Sequence, residues 1–259
     1  MSPMRSLAVL AMICAGNAQA QLTARTGAGA DVAALAPVRD QFRADLGGGT
    51  VAGANGSFGG IRREINWDGV SAPFVAPNNL PANFFNVNSP RGLVLSTPGT
   101  GFQVSASTSD ASGQPIYFGN INFSYTTTFS AFSPQRLFTP LGSNVFDIFF
   151  YVPGTVIPTG VSGFGAVFTD VDQASTTRLL FFDRDGTGLG TVNAPAYSNG
   201  LSFAGAFTTD GRASIARVRV FLGNTAVGPT DNNVSSDIVV ADDFIYAEPT
   251  DRIFGDGFD

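Results

Sequence analysis

The chain has 259 residues, a formal net charge of −6, no histidine, a single cysteine and 14 basic residues, every one of them arginine. These absences exclude Ser-His-Asp and Cys-His catalysis, histidine-ligated zinc, Schiff-base lysine chemistry and lysine-dependent phosphate loops. An acidic balance without a basic stripe also speaks against nucleic acid or an anionic membrane surface as partner.

Residues 1–20 read as an export signal. A basic residue (Arg5) precedes an apolar run from Leu7 to Ala15, and Ala18 and Ala20 form an A-x-A site that predicts cleavage before Gln21. The run is too short for a permanent membrane anchor, which takes about 20 residues, so no membrane insertion is expected. Lipidation at Cys14 is disfavoured because the bulky Ile13 stands where a small residue is required. Loss of this segment removes the only cysteine, which leaves a mature chain without thiol chemistry. The expected location is therefore outside the cytoplasm: periplasm, cell surface or medium.

Residues 21–60 differ from the rest of the chain. Val38, Phe42 and Leu46 recur at four-residue spacing, which predicts a short helical arm started by Pro37 and ended by Gly47. The run GGGTVAGANGSFGG behind it lacks the Gly-Lys-Ser/Thr ending of a phosphate cradle and reads as a linker.

Residues 61–249 read as one β-domain. The run IRREINWDGV (61–70) supplies a first strand. The Pro- and Asn-rich residues 71–90 form a long loop anchored by aromatic residues such as Phe84 and Phe85. Two strands are predicted within residues 92–106 and at least one within 116–132. VFDIFFYVPGT (145–155) is a strong strand. GFGAVFTDV and RLLFFD form a central hairpin in which Phe164, Ala166 and Phe168 share one face and Val167 and Val171 the other. Further strands are predicted in TGLGTVNAP, LSFAGAFTT, IARVRVFLG and DIVVADDFIYAEP. In IARVRVFLG, Val218, Val220 and Leu222 are expected inward and Arg217, Arg219 and Phe221 outward. About ten short, evenly spaced strands, joined by glycine-rich turns and filled by 24 phenylalanines, predict an all-β, antiparallel sandwich of jelly-roll type.

Candidate site residues are few. Trp67, the only tryptophan, stands beside Asp68, a pairing that would suit stacking on a sugar, although a core role for Trp67 is the plainer reading. Period-two alternation turns Asp242 and Asp243 to opposite sides of their strand, so at least one approaches the interior. A buried carboxylate there needs a metal, an arginine or backbone donors. Calcium would take Asp242 or Asp243, with Asp170, Asp172 or Asp185 as co-ligands. The Asp183–Gly186 turn is not an EF-hand, because no acid stands at the twelfth loop position. Glu64, Asp68, Asp147 and Glu248 are candidates for a two-carboxylate glycoside hydrolase, with no spacing that singles out a pair.

Three resemblances accompany these residues. GFGAVFTDVD, LLFFDRDGTGLGT, LSFAGAF, RVRV and VADDFIYAEP together resemble uncharacterised exported bacterial β-sandwich proteins often found with PEP-CTERM-type sorting tails. No apolar helix with a basic end follows Pro249. Instead, RIFGDGFD (252–259) resembles the I-F-x-D-G-F-E ending of secreted Gram-negative proteins, with Asp259 in place of Glu. The strand VVADDFIYAEP resembles the closing strand of jelly-roll carbohydrate-binding modules, which implies a structural calcium at Asp242 or Asp243. The expected function is a secreted, non-catalytic binding or cell-surface interaction module, calcium-stabilised, with an extracellular glycan or surface protein as partner. A carboxylate glycosidase and a structural matrix protein are the alternatives.

Overall fold

The computed structural model describes residues 21–48, 61–110, 113–228 and 235–250. The predicted signal segment, most of the glycine-rich linker and the IFGDGFD ending lie outside the described residues. No helix among the described residues is long and apolar enough to cross a membrane.

The chain folds as an all-β sandwich of two antiparallel sheets. In order, its elements are β1 (Leu22–Gly29), α1 (Val32–Asp45), β2 (Arg62–Ile65), α2 (Phe84–Val87), β3 (Leu93–Ser96), β4 (Gly101–Val104) and α3 (Tyr125–Thr128), then β5 (Phe138–Leu141), β6 (Val145–Phe150), β7 (Gly163–Val171), β8 (Arg178–Phe182), β9 (Gly188–Asn193), β10 (Tyr197–Thr208), β11 (Arg217–Phe221) and β12 (Val240–Ala247). One sheet runs β1-β10-β7-β12-β5-β4, with β2 also paired to β12; the other runs β3-β6-β11-β8-β9.

Phenylalanine fills the space between the sheets. From the smaller sheet, Phe146 meets Phe244 with ring centroids 6.2 Å apart, and Phe150 meets Tyr246 at 5.7 Å and Phe164 at 6.3 Å. The predicted face of Phe164, Ala166 and Phe168 is thus the inner one. Val167 lies on the outer face and is fully buried as well.

That outer burial corrects the reading of residues 21–60 as an arm. Residues 22–29 pair along their whole length with β10, Leu22 opposite Thr208 and Gly29 opposite Leu201. The helix α1 then lies across the outer face. Asp31 caps it by accepting from Ala34 N at 2.9 Å, and Gly47, with φ +100°, lets the chain turn away. Pro37 sits inside the helix rather than at its start. Its missing N–H forgoes one helical bond, which tertiary contacts offset. Phe42 is fully buried, 5.2 Å from the Phe203 ring, over Gly165 and Gly205. A Cβ on either glycine would come within about 3.0 Å of Phe42 carbons, at 2.9 Å from Gly165 and 3.0 Å from Gly205. Here the missing side chains are what let the helix approach the sheet. Arg25 to Asp45 at 2.6 Å and Arg43 to Glu64 at 2.7 Å tie the helix to β1 and β2.

A second correction concerns residues 116–132. Instead of a strand they form turns and α3, after Tyr117 and Phe118 adopt left-handed φ values of +50° and +66°. Phe118, Tyr125 and Phe129 join Leu137, Ile238 and Val240 in a separate small apolar cluster. The central hairpin is a third correction: its two runs are both strands, but β7 pairs with β10 and β12 in the larger sheet whereas β8 pairs with β11 and β9 in the smaller one, so the chain crosses between the sheets there. The alternation of β11 matches the sequence reading, with Val218 and Val220 buried and Arg217, Arg219 and Phe221 half-buried.

Candidate functional site

Trp67 is where the end of β2 turns. Its backbone takes φ +65°, and short-range bonds close a tight turn from Asp68 N to Asn66 O at 2.8 Å and from Val70 N to Trp67 O at 2.9 Å. The indole swings into the core, where it is 1% exposed. Phe138 stacks on it at 4.2 Å with the planes 8° apart, and Phe85 and Phe244 meet it edge-on. With its ring so enclosed, Trp67 is not the exposed sugar platform that its neighbour Asp68 suggested. Asp68 is half-buried and accepts from Arg136 N at 3.1 Å. Burial raises its pKa, and the charge of Asp243 adds to the rise.

The indole Nε1 donates to the backbone oxygen of Asp242 at 2.7 Å, which anchors β12 at a break in its ladder. Between Ala241 and Phe244 the register of β12 against β7 shifts: Ala241 faces Phe168, yet Phe244 faces Ala166. Three steps on β12 match two on β7, so one residue is inserted. This bulge overturns the alternation expected of Asp242 and Asp243, and both carboxylates turn to the same hydroxyl. Ser133 Oγ lies 3.2 Å from Asp242 Oδ1 and 2.7 Å from Asp243 Oδ1. It has one hydrogen to donate at a time. Phe132 N donates to Asp242 Oδ2 at 2.5 Å.

The pair is 0% and 5% exposed. Burial pushes the Asp242 carboxyl well above the ordinary carboxylate range, and the neighbouring charge of Asp243 pushes it further. Asp243 is raised by burial too, against the lowering effect of its bonds to Ser133 and Asp242. Two carboxyls this close hold a proton between them to higher pH than either would alone.

This donor set does not fit calcium, which takes six to eight oxygen ligands. An N–H and an O–H already point at the Asp242 oxygens, and no group of three or more His, Cys, Asp or Glu side chains among the described residues is placed to hold a metal. Asp170 and Asp172 do not join the pair. Asp170, at φ +64°, accepts from Asn199 N at 2.7 Å, and Asp172 is exposed. The Asp183 turn is conformational: its Oδ1 accepts from Asp185 N at 2.9 Å and Thr187 N at 2.8 Å. Sequence reasoning overlooked Asp237, which is fully buried. It accepts from Asp172 N at 3.0 Å and from Thr176 Oγ1, and it ties the loop after β7 to β12.

A pocket of about 330 Å³ opens on the other side of Trp67. Phe74, Phe84 and Phe85 form its apolar wall, and Asn66, Ser71, Asn88, Ser89 and Arg91 supply polar groups. Glu64 is its acidic residue. Burial pushes the Glu64 carboxyl up, but bonds from Arg43 and Arg62, at 2.7 Å and 2.9 Å, override this and hold it below its ordinary value. The backbone of Arg91 is fixed, since its N–H donates to Phe85 O at 2.7 Å and its oxygen accepts from Tyr246 Oη at 3.0 Å. Its side-chain Nε is buried and has no hydrogen-bond partner among the described residues. Of the glycosidase candidates, Asp147 is paired with Arg219 at 2.8 Å and Glu248 with Arg63 at 2.5 Å.

No family model, curated protein or solved structure matches the chain.

Proposed function

We propose that the chain is an exported, non-catalytic binding module, of jelly-roll wiring, that takes an extracellular glycan in the pocket beside Trp67. The observation that carries this reading is the pocket's lining. Asn66, Ser71, Asn88 and Ser89 stand around a wall of Phe74 and Phe84, and that mixture complements a sugar ring, which has hydroxyls at its edge and C–H groups on its face.

Catalysis is the weaker reading. Glycoside hydrolysis needs two carboxylates flanking one bond, and among the described residues Glu64 is the one acid on the pocket lining. Held ionised by Arg43 and Arg62, it is a poor proton donor. The Asp242–Asp243 pair is protonatable but buried under Ser133 and Phe132, away from any substrate. A matrix protein would need no such pocket.

Because Trp67 is the only tryptophan and lines the pocket, its emission reports occupancy directly. A glycan array screen and a subsequent fluorescence titration should find a sugar that shifts that emission saturably, with the shift lost in an Asn66→Ala/Asn88→Ala double variant. If no glycan binds the array and none moves the emission, the reading fails. Thermal melts in EDTA and in calcium chloride test the calcium expectation, since a ligand of the native state raises the midpoint. The donor set predicts equal midpoints.

A further inference from the structure

We infer that the sheet edge at residues 156–159 is the seat of the chain's own C-terminal segment, which docks there as a short strand with Ile253 opposite Ile157 and Phe254 opposite Val156. The inference stands apart from the glycan reading of the pocket beside Trp67.

The bonds of residues 157–161 show which of their edges is taken. Val152 N donates to Ile157 O, Thr159 N to Phe150 O and Val161 N to Ile215 O, each at 2.9 Å. The odd-numbered residues thus turn their backbone groups to the sandwich. Gly160 turns the other way and accepts from Thr250 N at 3.4 Å, while Thr159 Oγ1 donates to Thr250 O. Gly160 and Thr250 form an antiparallel bridge, so a chain that continues this pairing runs back along residues 159, 158, 157 and 156. That register sets Asp251 opposite Thr159, Ile253 opposite Ile157 and Phe254 opposite Val156.

The side chains along that edge are apolar. Val156 is 89% exposed and Ile157 47%. Their loop is fixed by Asn86, which donates to Thr155 O at 2.8 Å and accepts from Gly154 N at 3.0 Å. Apolar side chains held out on an open sheet edge invite a pairing strand, and native proteins cover such edges. The pleat turns the oxygens of Pro158 and Val156 to the same side as that of Gly160, where Arg252 N and Phe254 N meet them. Alternation then puts Ile253 against Ile157 on one face and Phe254 against Val156 on the other. Charge agrees with this placement. Thr159 lines a cavity of about 190 Å³ together with Arg184, Arg217 and, as its one acid among the described residues, Asp183. Asp251 therefore arrives beside cations. The occupant comes from the same molecule because Thr250 already holds the first register position. Three further residues, about 10 Å of extended chain, reach Ile253, whereas a second copy would first have to lose its translational freedom.

Residues 21–259 contain no cysteine, so introduced thiols report the register without interference. Residues 157 and 253 would form a non-hydrogen-bonded pair with Cα atoms about 4.5 Å apart, within the span of about 4.4–6.8 Å that a disulfide bridges. Oxidised with glutathione at low protein concentration, Ile157→Cys/Ile253→Cys should close an intramolecular bridge at least about tenfold faster than Ile157→Cys/Phe254→Cys, whose thiols lie on opposite faces. Deletion of residues 251–259 should lower the melting temperature by about 2–4 °C, the shift expected when a domain of this size loses a few cross-strand contacts. Equal rates for the two cysteine pairs would overturn the inference, as would an unchanged midpoint on deletion. A bridge that forms only between two molecules would also overturn it and would assign the edge to a second copy of the chain.

Discussion

All nine residues of β7 in the seven-stranded sheet are buried, whereas β6, β8 and β11 of the five-stranded sheet alternate between buried and half-buried positions. The two sheets share one phenylalanine interior, so the contrast lies in their outer faces. On the larger sheet, α1 lies over the glycine pair Gly165–Gly205, and the segment around Phe132 and Ser133 closes over the bulge of β12. Among the described residues no helix crosses β6, β8 and β11 of the smaller sheet. There Arg217 sits 3.9 Å over the Phe182 ring and Arg178 sits 4.0 Å over Phe221, so the aromatic rings are roofed by arginines that keep their charge in water. Coverage, rather than composition of the inner face, decides which polar groups end up buried. Asp242, Asp243, Asp237 and Thr169 all belong to the larger sheet or its borders.

The contrast can be broken most forcefully at Phe42. Phe42→Ala should lower stability by about 3–5 kcal/mol, the usual cost of emptying a large buried aromatic site, as measured by urea denaturation. A loss below about 1 kcal/mol would show that α1 is an appendage and that the outer face is not core. A matched pair of glycine variants gives a smaller, sharper test. Gly205→Val should cost about 1–3 kcal/mol by overpacking, because its Cβ would meet the Gly165 Cα at 2.9 Å and Phe42 at 3.0 Å. Gly188→Val on β9, where an added Cβ meets nothing within 4 Å, should be neutral or mildly stabilising, since valine suits a strand. Equal effects at the two positions would erase the distinction.

The smallest effect is one of pH. Burial holds Asp242 and Asp243 above the ordinary carboxyl range, so the folded protein keeps protons that the unfolded chain has released. Their contribution favours the fold in acid and is lost as pH rises from about 4 through the raised values. Asp242→Asn keeps an oxygen for Phe132 N but cannot ionise. The fall in melting temperature towards neutral pH should therefore be shallower in the variant. The salt-bridged Asp40, Asp45, Glu64 and Asp110, whose values are lowered against burial by their arginine partners and, for Asp110, first by the Ser107 N–H, work in the opposite direction but are common to both proteins. Identical slopes would mean that the pair is not held protonated.

Much of this was legible in the residues, and the misses have physical causes. GFGAVFTDV, with apolar side chains on both faces, reads as a strand buried on both sides, and RVRVF alternates as its half-covered face requires. The stretch LTARTGAG (22–29) did not read as a strand because its residues are small and polar; backbone pairing to β10 holds it there, and pairing leaves little trace in side-chain pattern. Residues 116–132 misled in the other direction: their aromatic density fills a satellite cluster through turns. The bulge at Asp242 and Asp243 carries no glycine to announce it, so a period-two reading placed the carboxylates on opposite sides. The pocket walls Phe84 and Phe85 were visible as loop anchors. Arg91, between Pro90 and Gly92, was not, because its place on the pocket wall is set by the fold and leaves no pattern in the sequence.

The pairing of β1 and β2 also bears on how the molecule is made. Leu22 finds its opposite number at Thr208, and Ile65 finds its own at Phe244. During synthesis neither early strand has anything to zip onto until most of the polypeptide has emerged, and contacts so distant in sequence close slowly. The leading part of the nascent chain thus stays loose and threadable for as long as its tail is still being made.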